Sequence, residues 1–165
     1  MKREQYQTIH EFVLARPGLE RVVQVSTRVL PGLVYVSYPL LLLYLLVTQS
    51  PGLLRAIWVP VAGFLAVTAL RAGINAPRPY ERLDIPAITR KDTVGKSFPS
   101  RHGACAAVIA VTAFHEIPVL GVLLMAVSGL IAVSRVLAGV HFVKDVVCGL
   151  LLGGLIGWVG MYWIP

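Results

Sequence analysis

Long uncharged apolar runs, separated by short polar clusters, set the expected architecture. Between Arg28 and Arg55 no residue is charged, and LPGLVYVSYPLLLLYLLVTQ (30–49) occupies that gap. AIWVPVAGFLAVTAL follows between Arg55 and Arg71, then PVLGVLLMAVSGLIAVS (118–134) and VVCGLLLGGLIGWVGMYWIP (146–165). A bilayer is spanned by about 20 mostly apolar helical residues, because every backbone polar group in lipid must be bonded internally. These four runs are therefore expected to cross a membrane. GACAAVIAVTAFHEI (103–117) is shorter and rich in alanine, which suits a fifth helix enclosed by the others. Gly149, Gly153 and Gly157 recur at four-residue spacing and predict close backbone approach within this one chain. Trp158, Tyr162 and Trp163 suit an interfacial anchor.

Residues 1–28 alternate charge with Ile9, Phe12, Val13, Leu14, Leu19, Val22, Val23 and Val25. That pattern predicts an amphipathic helix on the membrane surface, broken near Pro17 and Gly18. The expectation is an all-α protein with about five transmembrane helices in one domain (29–165), preceded by an interfacial segment (1–28). Its N-terminus lacks the compact apolar core of a signal peptide.

Composition agrees: 56% of the residues are hydrophobic and 14% are charged, too few charges for a water-soluble surface. Cys105 and Cys148, each in an apolar run, give neither a disulfide framework nor a zinc site. The formal net charge is +7. Basic residues gather before residue 29 and in the segment 73–101, which holds four prolines and six Lys or Arg residues. A connection of that length in a compact domain is commonly functional or disordered.

Three polar clusters interrupt this pattern between residues 71 and 145. Arg71-Ala-Gly-Ile-Asn-Ala-Pro-Arg78-Pro79 leaves the second run, Phe98-Pro99-Ser100-Arg101-His102-Gly103 opens the third helix, and Ser134-Arg135 through His141 to Asp145 joins the fourth run to the fifth. Counting crossings returns all three to one side of the membrane. His141 and Asp145 are four apart, a spacing that shares one helix face. A carboxylate bonded to one imidazole nitrogen fixes the tautomer and leaves the other free to attack. Arg71, Arg78 and Arg135 offer planar donor forks matched to phosphate oxygens. Ser100 and the amides near His102 and Gly103 open a helix, a natural anion site, and His102 is placed to protonate a leaving oxygen. No carboxylate cluster suits magnesium, so a phosphoryl-transfer site without metal or other cofactor is expected.

Together the clusters resemble the type 2 phosphatidic acid phosphatase and vanadium haloperoxidase superfamily. Its signature is Lys, six residues, Arg-Pro; then Pro-Ser-any-His; then Ser-Arg, five residues, His, three residues, Asp. The second and third elements match in full; the first matches at Arg78-Pro79 but has Arg71 in place of lysine. The resemblance covers roughly residues 55 to 165. It implies a membrane lipid phosphatase in which His141 forms a phosphohistidine, Asp145 orients it, and His102 serves as acid and then as base. Arg71, Arg78, Ser100, Gly103 and Arg135 are implied to hold the phosphoryl oxygens. Arg101 and Lys96 are further candidates for substrate contact.

The implied partners are the bilayer and a lipid phosphate, with no nucleic acid. The substrate is expected to be polyprenyl diphosphate, phosphatidylglycerol phosphate, phosphatidic acid or a related headgroup. Transfer to an acceptor other than water uses the same residues, and a phosphate-binding protein without turnover is the alternative from another class. A haloperoxidase is disfavoured because those relatives are soluble. Arg82, Arg90, Lys91 and Lys96 suit loop solvation or anionic headgroups, and His10, His115 and Glu116 suit interfacial polar positions. Excess basic residues on the site-bearing side favour a cytoplasmic site, whereas family members more often act on the outer face.

Overall fold

The computed structural model describes residues 3–89 and 93–163; Met1, Lys2, Arg90, Lys91, Asp92, Ile164 and Pro165 lie outside the described residues. Its elements are helices α1 (Arg3–Leu14), α2 (Pro17–Val47), α3 (Leu53–Ile74), α4 (Pro79–Leu83), α5 (Arg101–Glu116), α6 (Pro118–Leu137) and α7 (Val143–Tyr162). Helices α2, α6 and α7, and α3 with the segment running on to Leu83, are long and apolar enough to cross a membrane. Helix α5 is not. Its 16 residues reach roughly 24 Å at 1.5 Å per residue, short of the roughly 30 Å hydrocarbon layer. The expected five spans are thus four long helices around one short central one.

Alanine and glycine explain why α5 occupies the centre. Gly103, Ala104, Ala106, Ala107, Ala110 and Ala113 are all buried, and α5 touches α2, α3, α6 and α7. Small side chains let backbones come together where lipid supplies no hydrophobic drive for association. The facing helix supplies the matching stripe. A Cβ added at Gly153 would lie 2.1 Å from the Ala104 carbonyl oxygen, and one at Gly149 would lie 2.5 Å from that of Ser100. The expected packing within the chain is what the glycines do. Cys105 and Cys148 are free and half-buried.

The N-terminal segment differs from expectation in its boundary. Helix α1 ends at Leu14, and Pro17, in the first turn of α2, begins a continuous 31-residue helix that passes residue 28 and contains Pro31 and Pro39. Proline fits the first turn because its missing N–H has no helical partner there. The apolar face of α1 meets protein: Val13 packs with Val23, Ala138 and Val140, and the tilted rings of Tyr6 and Phe142 lie 6.0 Å apart. His10, expected at an interface, is buried.

The long connection after α3 is tied down by polar contacts. Glu81 accepts from the Arg78 N–H at 2.8 Å and from the Gly95 N–H at 2.7 Å, and the Ser97 N–H donates to the Ala76 carbonyl at 2.8 Å. Ile88 N–H donates to the Ala138 carbonyl at 3.1 Å, and the Tyr80 hydroxyl to the Thr93 carbonyl. At the opposite end of α5, Glu116 meets His115 at 3.1 Å and the Ser50 hydroxyl at 3.4 Å.

The two adjacent glycines of α7 give a paired prediction. Gly153→Val drives a side chain into the α5 backbone, whereas Gly154 has open space around it. Gly153→Val is expected to destabilise by about 1–3 kcal/mol or more, and Gly154→Val to change little. Thermal unfolding of the two purified variants in detergent checks this; equal midpoints would contradict the α5–α7 packing.

Candidate active site

The first turn of α5 is anchored to the first turn of α7. The Ser100 N–H donates to the Asp145 carbonyl at 2.8 Å, and Ser100 caps α5 by accepting the Gly103 N–H at 3.4 Å. Gly149 permits this junction because nothing larger fits beneath Ser100. His102, the second residue of α5, and His141, two residues before α7, are thereby brought to the same end of the bundle.

His141 and Asp145 are 2% and 1% exposed. Their pairing does not come from helix periodicity, as expected from the four-residue spacing, because α7 starts at Val143. It comes from the capping turn instead: Asp145 Oδ2 accepts the Phe142 N–H at 3.0 Å and folds the preceding residue back over the helix end. The His141 Nδ1 atom lies 3.7 Å from that same oxygen. Between them stands Ser97, whose hydroxyl donates to Asp145 Oδ2 at 2.5 Å and lies 3.4 Å from His141 Nδ1.

Two buried arginines, Arg71 and Arg78, act on this pair, and a third, Arg135, lies beside Arg78. Arg71, in the last turn of α3, donates from Nη1 to the carbonyls of Pro99 (2.5 Å) and Ser97 (3.4 Å). Arg78, the N-cap of α4, donates from Nε to Gly95 (3.0 Å) and from Nη1 to Val140 (3.4 Å). Arg135, in the last turn of α6, donates from Nη2 to the Thr27 carbonyl at 3.0 Å, and its Nε has no hydrogen-bond partner among the described residues. Arg71 and Arg78 act electrostatically on each other and on His141, and Arg78 also acts on Arg135. All these bonds go to neutral carbonyls. Among the described residues the close contacts between a basic side chain and a carboxylate are His115–Glu116 and His141–Asp145; no guanidinium of the cluster makes a salt bridge, although Asp145 acts on Arg71 through space.

The expected set thus gathers at one end, with differences of position. Gly103 is buried between Ser100 and Val146. His102 lines a largely apolar cavity of about 280 Å³ between α2, α3 and α5, with Tyr35, Phe64, Arg101 and Cys105 among its walls. Arg101 is exposed, its guanidinium 5.5 Å from the Phe64 ring centre. Lys96 is exposed in the turn between Gly95 and Ser97, with φ +53°. Sequence reasoning missed Ser97, which carries no periodic signal and lies 44 residues from His141. It also missed Thr27, which serves through its carbonyl. Glu81 was within reach, since an acidic residue three positions after a helix start is a capping signal.

A family model for the PAP2 superfamily matches residues 52–165. The chain belongs to the PAP2 superfamily. Two solved structures extend the likeness beyond the matched region. Aquifex aeolicus LpxE has a TM-score of 0.76 and 29% identity over 97% of this chain and 94% of its own. A PAP2-type phosphatidylglycerolphosphate phosphatase from Bacillus subtilis has a TM-score of 0.68 and 24% identity, covering 96% of this chain and 83% of its own, and shares the fold. No curated protein matches by sequence. This PAP2 chain is a multi-pass membrane lipid phosphatase.

Electrostatics prepares His141 for a base-like task. Burial drives its imidazole down from the ordinary 6.5 to about 4, Arg78 and Arg71 push the same way, and the contact with Asp145 opposes them. The ring is therefore neutral at pH 7 and carries a lone pair. A depressed folded-state value means the unfolded chain takes up a proton first as pH falls. Stability is full above 6.5 and is lost as pH drops towards 4, by roughly 3 kcal/mol at 1.36 kcal/mol per unit. A proton titration of the His141 ring by NMR in detergent is expected to show its midpoint near 4. A midpoint at 6.5 or above would mean the ring is neither as buried nor as crowded by cations as described.

Proposed function

We propose that this site removes the terminal phosphate of a membrane lipid, a monoester or a diphosphate, through a phosphohistidine at His141. The carrying observation is a buried imidazole in the field of the buried guanidiniums of Arg71 and Arg78, with Arg135 beside Arg78, none of them salt-bridged to a carboxylate among the described residues. Each such cation costs several kcal/mol to bury, and a phosphoryl group is the dianion that relieves this.

In the proposed first step the His141 Nε2 lone pair forms the N–P bond while the P–O bond to the lipid breaks. His102 gives its proton to the departing lipid oxygen. In the second step His102 takes a proton from water, the water oxygen bonds phosphorus, and the N–P bond returns its electron pair to His141. Arg71, Arg78 and Arg135 hold the equatorial oxygens, with the Ser100 hydroxyl and the Gly103 N–H at the α5 N-terminus. Arg71, in the place of the family lysine, keeps the charge and adds a second donor arm. Asp145 keeps the His141 tautomer.

The apolar cavity beside His102 is the proposed seat of the lipid chain nearest the headgroup, with Arg101 at its edge within reach of a headgroup anion. This supports substrates of the class of phosphatidylglycerol phosphate, phosphatidic acid or polyprenyl diphosphate. The concentration of basic residues on the site-bearing side supports a site at the cytoplasmic face of the cell membrane.

Purified protein in detergent is expected to release phosphate from such lipids in the presence of EDTA, and His141→Ala to lose roughly 10⁴-fold or more of that rate. Release that survives His141→Ala would remove His141 from the role of nucleophile.

A further inference from the structure

The pairing of nucleophile and carboxylate is indirect. Asp145 Oδ2 already receives two donors, the Ser97 hydroxyl at 2.5 Å and the Phe142 N–H at 3.0 Å, which fills the two lone-pair directions of a carboxylate oxygen. The other carboxylate oxygen, Oδ1, is buried and makes no hydrogen bond among the described residues. His141 Nδ1 at 3.7 Å is beyond hydrogen-bond range of Oδ2 and finds no lone pair there.

Ser97 has what Asp145 lacks. A hydroxyl owns one hydrogen and two lone pairs, and the 2.5 Å contact to a carboxylate commits that hydrogen to Asp145. The free lone pairs of Oγ then accept from Nδ1–H of His141, 3.4 Å away, a long contact of the kind that tightens once substrate is bound. A proton on Nδ1 leaves the lone pair on Nε2.

The position of Ser97 is fixed from three directions. It is fully buried, its N–H is held by Ala76, and its carbonyl accepts from Arg71. The same residue therefore sets the distance between a phosphate-facing arginine and the imidazole. We propose that Ser97 is a positioning residue that carries the orienting effect of Asp145 to His141, in the order Nδ1–H to Ser97 Oγ–H to Asp145 Oδ2, and so selects the tautomer that attacks phosphorus. This rests on His141 being the nucleophile.

The test uses full-length protein in detergent with Ser97→Ala and Ser97→Cys; the cysteine nearly keeps the volume of serine but is a poor donor and acceptor. Both are expected to lose about 10- to 100-fold in kcat with KM within about twofold, the scale of a misplaced reacting group. In ¹⁵N-histidine-labelled protein, with the His141 signals assigned through His141→Gln, wild type is expected to carry its proton on Nδ1. Both Ser97 variants are expected to shift towards the Nε2–H form. A role in packing alone would leave the cysteine variant at full rate and its tautomer unchanged, and that result overturns the proposal. If His141→Ala is inactive while both Ser97 variants match wild type, the relay fails and the nucleophile stands. If His141→Ala turns over, the underlying reading fails with it.

Discussion

Three guanidinium groups buried at one end of a membrane bundle, none of them salt-bridged to a carboxylate among the described residues, are the constraint from which the rest of the structure follows. A buried cation is ordinarily neutralised by a partner or excluded by its desolvation penalty. Here Arg71, Arg78 and Arg135 are held by carbonyl oxygens of Pro99, Ser97, Gly95, Val140 and Thr27. Carbonyl dipoles aim the forks and soften the cost without cancelling charge. The end of the bundle is left with a positive field that a phosphoryl dianion completes.

Holding that arrangement explains the surrounding architecture. The carbonyls that steady the arginines come from the connection before α5 (Gly95, Ser97 and Pro99), from the turn before α7 (Val140) and from α2 (Thr27), so these segments must meet. Glycine on α7 and alanine on α5 bring two backbones together and lock Ser100 to Asp145. Glu81 gathers the 73–101 connection around Arg78, and α1 backs the 136–142 turn through Tyr6 and Val13. The short length of α5 fits this picture. A helix whose ends lie within the protein need not match the thickness of the lipid, and its N-terminus opens into the site.

Much of this was readable from residue order. Charge-free apolar runs marked the long helices, and the Ala-rich run marked the enclosed one. The three motifs named the residues that gather, because crossing parity brings them to one side. What periodicity misread was local. Four-residue spacing between His141 and Asp145 implied a shared helix face, yet a capping turn at Phe142 does the work. The break expected near Pro17 is there, but the helix that Pro17 starts runs on into the first span, and Val13 and Tyr6 face protein. Ser97 and Thr27 act through a single hydroxyl and a single carbonyl. Such roles depend on tertiary placement, and no pattern of side-chain types announces them.

The central claim is that the arginine cluster is a built but uncompensated anion site. Its most direct test is the unfolding midpoint of the purified protein as inorganic phosphate is titrated at constant ionic strength. An anion that binds the folded site alone stabilises it by about 2.7 kcal/mol at a hundred times its dissociation constant. The midpoint is expected to climb and saturate in wild type, and to stay flat in Arg78→Gln. A flat response in wild type, or an equal climb in both proteins, would contradict the account.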